Sequence, residues 1–276
     1  QRDSSAPPTG MGPISPDVVQ AQDDFQLGIF FAQSIDAMAG RLDTDGATGG
    51  PTNLMAQPFY IGINDIQNLD PAGPFSSKVF NLFDAWAVYD QAGDHGHDHA
   101  HACSPWIAND GAHRRRVAAA RAAIYRGQEI FNNVPFTISG VNGLNDVLQQ
   151  DPVTGTCSTC HNSPNVGGHS VVRMFDVGTA DVANCDPVLP LVTVQKKGEA
   201  TTRSVCDLGR ANGSHKWAEI GTFRAPPLRG LAARPPYFHD GQAGRIEDVV
   251  AYFDRRFHIG LSGDQKSDLT AFLRAL

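Results

Sequence analysis

The chain has 276 residues, enough for one large domain or two modest ones, and two are expected from its patterning. Its 22 basic against 29 acidic residues leave a net charge of -7 with no basic block, which argues against nucleic acid as a partner and suits solubility or a basic partner protein. No run approaches the roughly 18 apolar residues needed to cross a bilayer, and Leu27 to Ala32 is broken at Gly28, so the chain is not expected to span a membrane.

Residues 1–14, rich in Ser, Pro and Gly, read as an extended arm. Ser15-Pro16-Asp17 sets a capping hydroxyl before a first-turn proline and an acid. Val18, Val19, Phe25, Ile29, Phe30 and Ile35 follow at mostly helical spacing, which predicts a helix over 16–39. Arg41 to Ser76, full of Gly, Pro, Asn and Asp, reads as ordered loop with no catalytic signal. From Ser77 onward Val79, Phe80, Phe83, Trp86 and Tyr89 recur three or four apart, predicting a second helix that ends by Gly93 and whose aromatic stripe is core. In the next stretch His95, His97, His99 and His101 alternate with other residues up to Cys103. Extended chain throws every second side chain to one side, so this run either holds Zn, Cu or Ni at a surface or is a solvated polar loop. Arg114 to Phe131 is Ala-rich with Val117, Ala120, Ile124, Ile130 and Phe131 near one face, and should be helical.

Asp151 to Thr156 has turn chemistry, and it leads into Cys157-Ser158-Thr159-Cys160-His161. Two thiols three apart followed at once by an imidazole form the attachment signal of a c-type haem: the cysteines add across the haem vinyl groups and the histidine is placed to ligate iron as the proximal ligand. Zinc would require a second ligand pair at matching spacing, and the remaining cysteines are single. A thioredoxin-like dithiol would require a strand before the motif and a helix opening on it. Haem of this kind is attached outside the cytoplasm, so a periplasmic or otherwise extracytoplasmic location is expected. The sequence begins at Gln1 with no methionine and no leader, which implies either a cleaved signal or a piece of a longer polypeptide. In an oxidising compartment Cys185 and Cys206 should pair, closing a loop of about 20 residues for a gain on the order of 3 kcal/mol. Cys103 is then the odd thiol, buried or bonded outside the chain. Residues 1–115 hold no other cysteine, so one covalent haem c is expected.

Asn162 to His169 should lie as a loop close to the porphyrin edge, and 176–222 reads as an insertion with little helix. Ile246, Val249, Val250 and Phe253 share one face of a helix that reaches Phe257. Ser262-Gly263-Asp264-Gln265 is a capping box before Leu269, Phe272, Leu273 and Leu276, an amphipathic helix that ends the chain.

Arg126-Gly127-Gln128-Glu129-Ile130-Phe131 resembles the stretch carried by the opening helix of c-type cytochrome domains, which puts a domain boundary near 115. Gly221 to Gly230, Pro235-Pro236-Tyr237-Phe238-His239-Asp240-Gly241, the helix from Ile246 and the Cys157 to Gly168 segment together resemble the second haem domain of the bacterial dihaem cytochrome c peroxidase and MauG family. The resemblance covers about 116–276. It implies a mainly α fold: a cytochrome c-type haem domain over 116–276 with a loop-rich insertion, preceded by a smaller helical and irregular N-terminal region over 1–115.

The resemblance also implies one-electron chemistry with peroxide or with a partner redox protein, such as another cytochrome or a cupredoxin-like donor. The family carries two haem motifs and this chain one, so an electron carrier or a haem subunit of a larger assembly is the alternative to an enzyme. Where the family often offers Met as the sixth iron ligand, this chain has Phe253, which cannot ligate. Tyr252 beside it resembles the MauG branch and is the candidate to face the iron from its distal side; His169, Met174 and His258 are the other distal candidates. Arg229 is the candidate to pair a haem propionate, the other reading being a surface ion pair. His239, in a tight turn beside an acid, reads as structural or supporting. The peroxidases bind calcium partly through backbone oxygens, here near Arg224 and Pro226, so Ca2+ is a further candidate.

Overall fold

The computed structural model describes residues 15–27, 31–91 and 111–276. The arm over 1–14, the His95 to His101 run and Cys103 lie outside the described residues.

Helix α1, Pro16–Leu27, opens where the Ser15 hydroxyl accepts from the Val18 amide at 3.3 Å. It is shorter than the 16–39 expected, and the reason is local. The Asp36 carboxylate accepts from the amides of Met38 and Ala39 at 2.8 and 2.7 Å, which turns the chain before Gly40 at φ +77°. Strands β1, Ile35–Asp36, and β2, Gly40–Arg41, pair across that turn, and Ala39 and Leu42 enter the core. Helix α2, Gly50–Met55, with Pro51 in its first turn, is a short regular piece in the otherwise irregular 41–76 segment.

The helix expected from Ser77 is a second correction. Residues 77–83 are not helical; a 3-10 turn spans Asp84–Trp86 and α3 only Ala87–Gln91. The amides of Val79 and Phe80 donate to the side-chain carbonyl of Asn132 at 3.2 and 3.1 Å, that of Phe83 to Gln128 at 2.9 Å, and that of Asn81 to Asn165 at 3.1 Å. Side-chain amides thus take donors that a helix would have used itself, and the apolar residues here are buried on more than one side. Trp86, Phe80 and Phe83 are fully buried, as the core reading required, each worth roughly 1.5–3 kcal/mol of burial.

Helix α4, Gly111–Asn133, supplies Gln128 and Asn132 from its buried face. Strands β3, Phe136–Ile138, and β4, Val153–Gly155, form an antiparallel ribbon with the short helix α5, Asn145–Leu148, between them. The stretch expected as a plain turn before Cys157 therefore includes a three-residue strand. Its partner is a neighbouring antiparallel strand, so it does not build the parallel strand-helix unit that carries a thioredoxin-like motif.

The insertion is bracketed by β5, Met174–Phe175, which pairs with β8, Phe223–Arg224. Between them lie the hairpin of β6, Val192–Gln195, with β7, Thr202–Val205, and the single-turn helix α6, Ala211–Ser214. Cys185 and Cys206 are disulfide-bonded, 21 residues apart, as expected. Arg203 adds a second staple, donating to Asp176 at 2.7 Å and to the Ile220 carbonyl at 3.0 Å.

Helix α7, Ile246–Phe257, and α8, Gly263–Arg274, close the chain, the latter with reciprocal Ser262 and Gln265 caps at 3.1 and 2.9 Å. Helices α4 and α8 cross at Gly127, where a Cβ would meet the Asp268 carbonyl oxygen and lie 2.6 Å from the Phe272 Cβ. Arg126 fastens the crossing with two bonds to the Asp268 carboxylate at 2.7 and 2.9 Å. Helix outweighs strand among the described residues, so the protein is mainly α. One apolar cluster joins Val79 to Trp86 with α4, α8 and Tyr237; a second joins Ile138, Val141, Leu144, Val153, Phe175, Ala225 and Phe257; a third lies within the insertion.

Candidate haem attachment site

The β3–β4 ribbon delivers the chain to a 3-10 turn over Cys157–Thr159. The Thr156 amide donates to the Thr159 hydroxyl and the Thr159 amide to the Thr156 carbonyl, both at 3.0 Å, and the His161 amide donates to the Cys157 carbonyl at 3.2 Å. This tight winding points the two cysteines to different neighbours: Cys157 packs on the first apolar cluster and Cys160 on the second. The motif therefore sits at the seam between two cores.

Both thiols are free, and burial pushes each up to about 12, Cys157 adding to the effect on Cys160. A dithiol built for disulfide exchange has the opposite shift, a thiol lowered toward neutrality. His161 is oriented by its Nδ1, 2.5 Å from the Gly167 carbonyl oxygen. A carbonyl only accepts, so Nδ1 carries the proton and the neutral ring leaves the Nε2 lone pair open for a metal. Burial lowers the His161 pKa and favours that neutral form, against the opposing pull of the Gly167 and Pro226 carbonyls. Gly167 has φ +75°, and a Cβ there would lie 2.7 Å from the Phe80 ring and 3.0 Å from Leu228, so a glycine is required for this carbonyl to reach His161. The Phe131 ring stands edge-on to the imidazole at 6.2 Å.

The loop after the motif is tied down from both sides. Asn162 accepts from the Ser170 amide at 2.7 Å, and its carbonyl accepts from the Asn64 side chain at 3.0 Å. His169 is almost wholly buried, its Nδ1 pairs with the Cys160 carbonyl at 3.0 Å, and its ring meets Phe175 edge-on at 4.8 Å. Burial above all, with Arg173 and other cations adding, brings its pKa down to about 4. Of the distal candidates it is the one placed against the motif's own backbone.

Arg229 is not at the surface: it is 4% exposed. One guanidinium nitrogen donates to the Gly50 carbonyl at 3.0 Å, while Nε and Nη1 are buried without partners. It forms no ion pair among the described residues, and burial alone brings its pKa down to about 10, which leaves it charged at neutral pH. The surface ion-pair reading is thereby removed. A buried cation with two unused donors is costly unless an anion meets it. Leu228 beside it links Arg229 to the loop after the motif, its amide donating to the Val166 carbonyl at 3.0 Å.

Tyr252 is buried in α7, its ring 4.9 Å from Phe238 and 5.4 Å from Phe253, and its hydroxyl donates to the Val177 carbonyl at 3.0 Å. Burial pushes that hydroxyl up to about 12, so it stays protonated. Phe238 holds φ +68°, an outlying conformation for an aromatic residue. Met174 is half-buried on β5 opposite Arg224, and His258 is exposed at the left-handed end of α7, at φ 50°. His239 stacks on Phe223 at 3.9 Å. The structure thus groups Cys157, Cys160, His161 and His169, and places Tyr252 in the aromatic set of Phe238 and Phe253. The Gly167 carbonyl and the Asn162 clamp escape sequence reasoning because one is backbone and the other a loop amide; the only signal is the Gly167-Gly168 pair after the motif.

These residues fit a covalently held haem. Two protonated thiols can add to vinyl groups, the imidazole presents a free lone pair, and the buried guanidinium calls for a carboxylate such as a propionate. No family model matches the chain, and no solved structure does. It is 31% identical over 121 residues to the cytochrome c551 peroxidase of Pseudomonas aeruginosa, covering 44% of this chain and 30% of that protein. It is 28% identical over 144 residues to the cytochrome c551 peroxidase of Nitrosomonas europaea, covering 49% of this chain and 37% of that protein. A third relative, the cytochrome-c peroxidase IdrP1 of a Pseudomonas species, is 30% identical over 139 residues. The matches span about a third of the length of these relatives. Over nearly half of its length, the chain is related to the bacterial cytochrome c peroxidases.

Proposed function

We propose that residues 116–276 form a cytochrome c-type domain that carries one haem c outside the cytoplasm and works as a peroxidase-like oxidoreductase. Cys157 and Cys160 hold the macrocycle by thioethers, His161 Nε2 binds the iron, and Arg229 meets a propionate. When bound, the haem supplies one-electron chemistry at iron. The chain's own residues do the rest. Gly167 fixes the His161 tautomer, Asn162 and His169 hold the post-motif loop, and the Tyr252 hydroxyl, protonated and tied to Val177, offers a proton donor on the α7 side. A small redox protein is the expected electron partner. Calcium near Arg224 and Pro226 belongs to the same proposal as an accessory ion.

The observation that carries the reading is the locked imidazole beside two protonated thiols at the seam of two cores. The test has two stages. A pyridine haemochrome assay on protein made in an extracytoplasmic host should give one haem per chain. The ferric protein should then show a high-spin fraction and react with hydrogen peroxide in stopped-flow mixing; a fully low-spin, inert protein rules out the peroxidase role. The single attachment motif in 276 residues favours a second reading, an electron carrier or haem subunit of a larger assembly. That reading requires a stable complex in size-exclusion chromatography with mass analysis.

A further inference from the structure

We propose that the disulfide of the insertion hides a metal site: once reduced, the thiolates of Cys185 and Cys206 join His239 and Asp240 to hold one zinc ion. The Cys206 sulfur, a ring nitrogen of His239 and a carboxylate oxygen of Asp240 all lie within 4.8 Å of one another. Cys185, bonded to Cys206, stands at the edge of this set, and once the sulfur-sulfur bond is broken its side chain is free to turn in as a fourth donor. Tetrahedral zinc, with bonds of about 2.3 Å to sulfur and 2.0–2.2 Å to nitrogen or oxygen, separates its donors by roughly 3.3–3.8 Å. The three donors already together therefore have to close by about 1 Å, while the Cys185 sulfur swings away from Cys206 and toward the other two, movements available to side chains from separate segments. Asp240 Oδ2 is buried and has no hydrogen-bond partner, which leaves it free to take a cation. The His239 ring is held against Phe223 at 3.9 Å, and the Asp207 carboxylate, 3.7 Å from its Nε2, adds negative charge beside the site.

Oxidation state decides whether the site exists. Disulfide sulfurs are weak donors, whereas thiolates are strong ones for zinc. A dithiol reductant supplies two electrons and two protons, the sulfur-sulfur bond breaks to give two thiols, and the reductant leaves as its own disulfide. Zinc then replaces the two thiol protons, which pass to solvent. Because His239 and Asp240 follow Phe238, and Phe238 touches Tyr252, zinc capture draws on the turn that borders the proposed haem pocket. The inference stands apart from the haem reading, since none of its four donors belongs to the attachment motif.

The test is equilibrium dialysis of the haem-loaded full chain against zinc, with metal counted by mass spectrometry, before and after reduction by a non-chelating phosphine. The reduced protein should hold one more zinc per chain than the oxidised protein. That extra zinc should vanish in Cys206→Ser and in His239→Gln. All proteins carry Cys103→Ser, so that zinc held by the His95 to His101 run is common to both redox states and cancels. Equal stoichiometry in the two states overturns the proposal, and so does an extra zinc that persists in His239→Gln. Where reduction loosens the insertion, zinc should restore the far-UV circular dichroism of the parent but not of His239→Gln; restoration in both, or in neither, also overturns it. Haem content measured on the same samples shows separately whether the attachment reading holds.

Discussion

Replacing His161 by Ala should be worse than replacing either Cys157 or Cys160. One remaining thioether still holds the macrocycle while the imidazole ligates, whereas without His161 the iron loses the bond that orients it. We expect His161→Ala to lose on the order of 3–5 kcal/mol, roughly 10 °C in melting temperature followed by circular dichroism, and the single cysteine variants clearly less. A His161→Ala variant that melts like the parent while keeping covalent haem would mean the imidazole is not the iron ligand. Arg229 gives a prediction with two signs. With haem bound, Arg229→Met strands a propionate and should destabilise; in a haem-free Cys157→Ala/Cys160→Ala background it removes an uncompensated buried charge and should stabilise by about 1–4 kcal/mol. Urea unfolding of the four proteins decides it, and the same sign in both backgrounds argues against the propionate. His169 sets a pH dependence. Its folded pKa of about 4 lies below the ordinary value of about 6.5, so the unfolded chain binds the extra proton between those values. Stability from this residue is complete above pH 6.5 and falls away toward pH 4, by up to about 3 kcal/mol, and His169→Gln should flatten that part of the urea-midpoint profile. Of the site, the Cys157 to His161 motif is legible because its residues are contiguous. The Gly167 lock and the missing counter-charge of Arg229 are not, because backbone acceptors and absent partners exist only once the chain is folded.

Helices α4, α7 and α8 were readable because each buries one face, and α8 also opens on an ordinary Ser262 cap, so spacing and boundary agree. Residues 77–91 show the limit of that logic. Val79, Phe80, Phe83 and Trp86 are spaced as on a helix, yet the amides of Val79 and Phe80 go to Asn132, that of Phe83 to Gln128 and that of Asn81 to Asn165, which spacing cannot reveal. The residues around Asp36 fail for a nearer reason, since one carboxylate capturing two amides outweighs an apolar period. The α4–α8 crossing makes a sharp prediction at this scale. Alanine normally favours a helix over glycine by up to about 1 kcal/mol. At Gly127, though, a Cβ would strike the Asp268 carbonyl and crowd Phe272, and overpacking of about 1–3 kcal/mol or more should prevail. Gly213→Ala in α6, where nothing lies within 4 Å of the added Cβ, is the control and should be neutral or slightly stabilising. Thermal melting of the two variants checks the contrast; equal melting temperatures would mean that the helices do not meet at Gly127.

Among the described residues there are three apolar clusters, and the attachment motif touches two of them. A haem at that seam would weld the clusters into one cooperative unit. Without it, in the Cys157→Ala/Cys160→Ala protein, calorimetry should show a broadened or divided transition where the loaded protein shows a single one. A single sharp transition in both would place the group away from the seam. Residues 31–91 share their core with α4 and α8, so they should melt together with residues 116–276 rather than before them. The β5–β8 pairing has a consequence of another kind. Met174 stands opposite Arg224 and Phe175 opposite Phe223, so the chain departs from and returns to a single point. Everything threaded between those two residues is a closed excursion: its length does not alter the distance between the parts it interrupts, and doubling it costs only about 0.6 kcal/mol of closure entropy. The hairpin over 192–205 is thus the place where this protein's descendants can gain or lose residues, or accept a foreign graft, while α7, α8 and the attachment turn keep their positions.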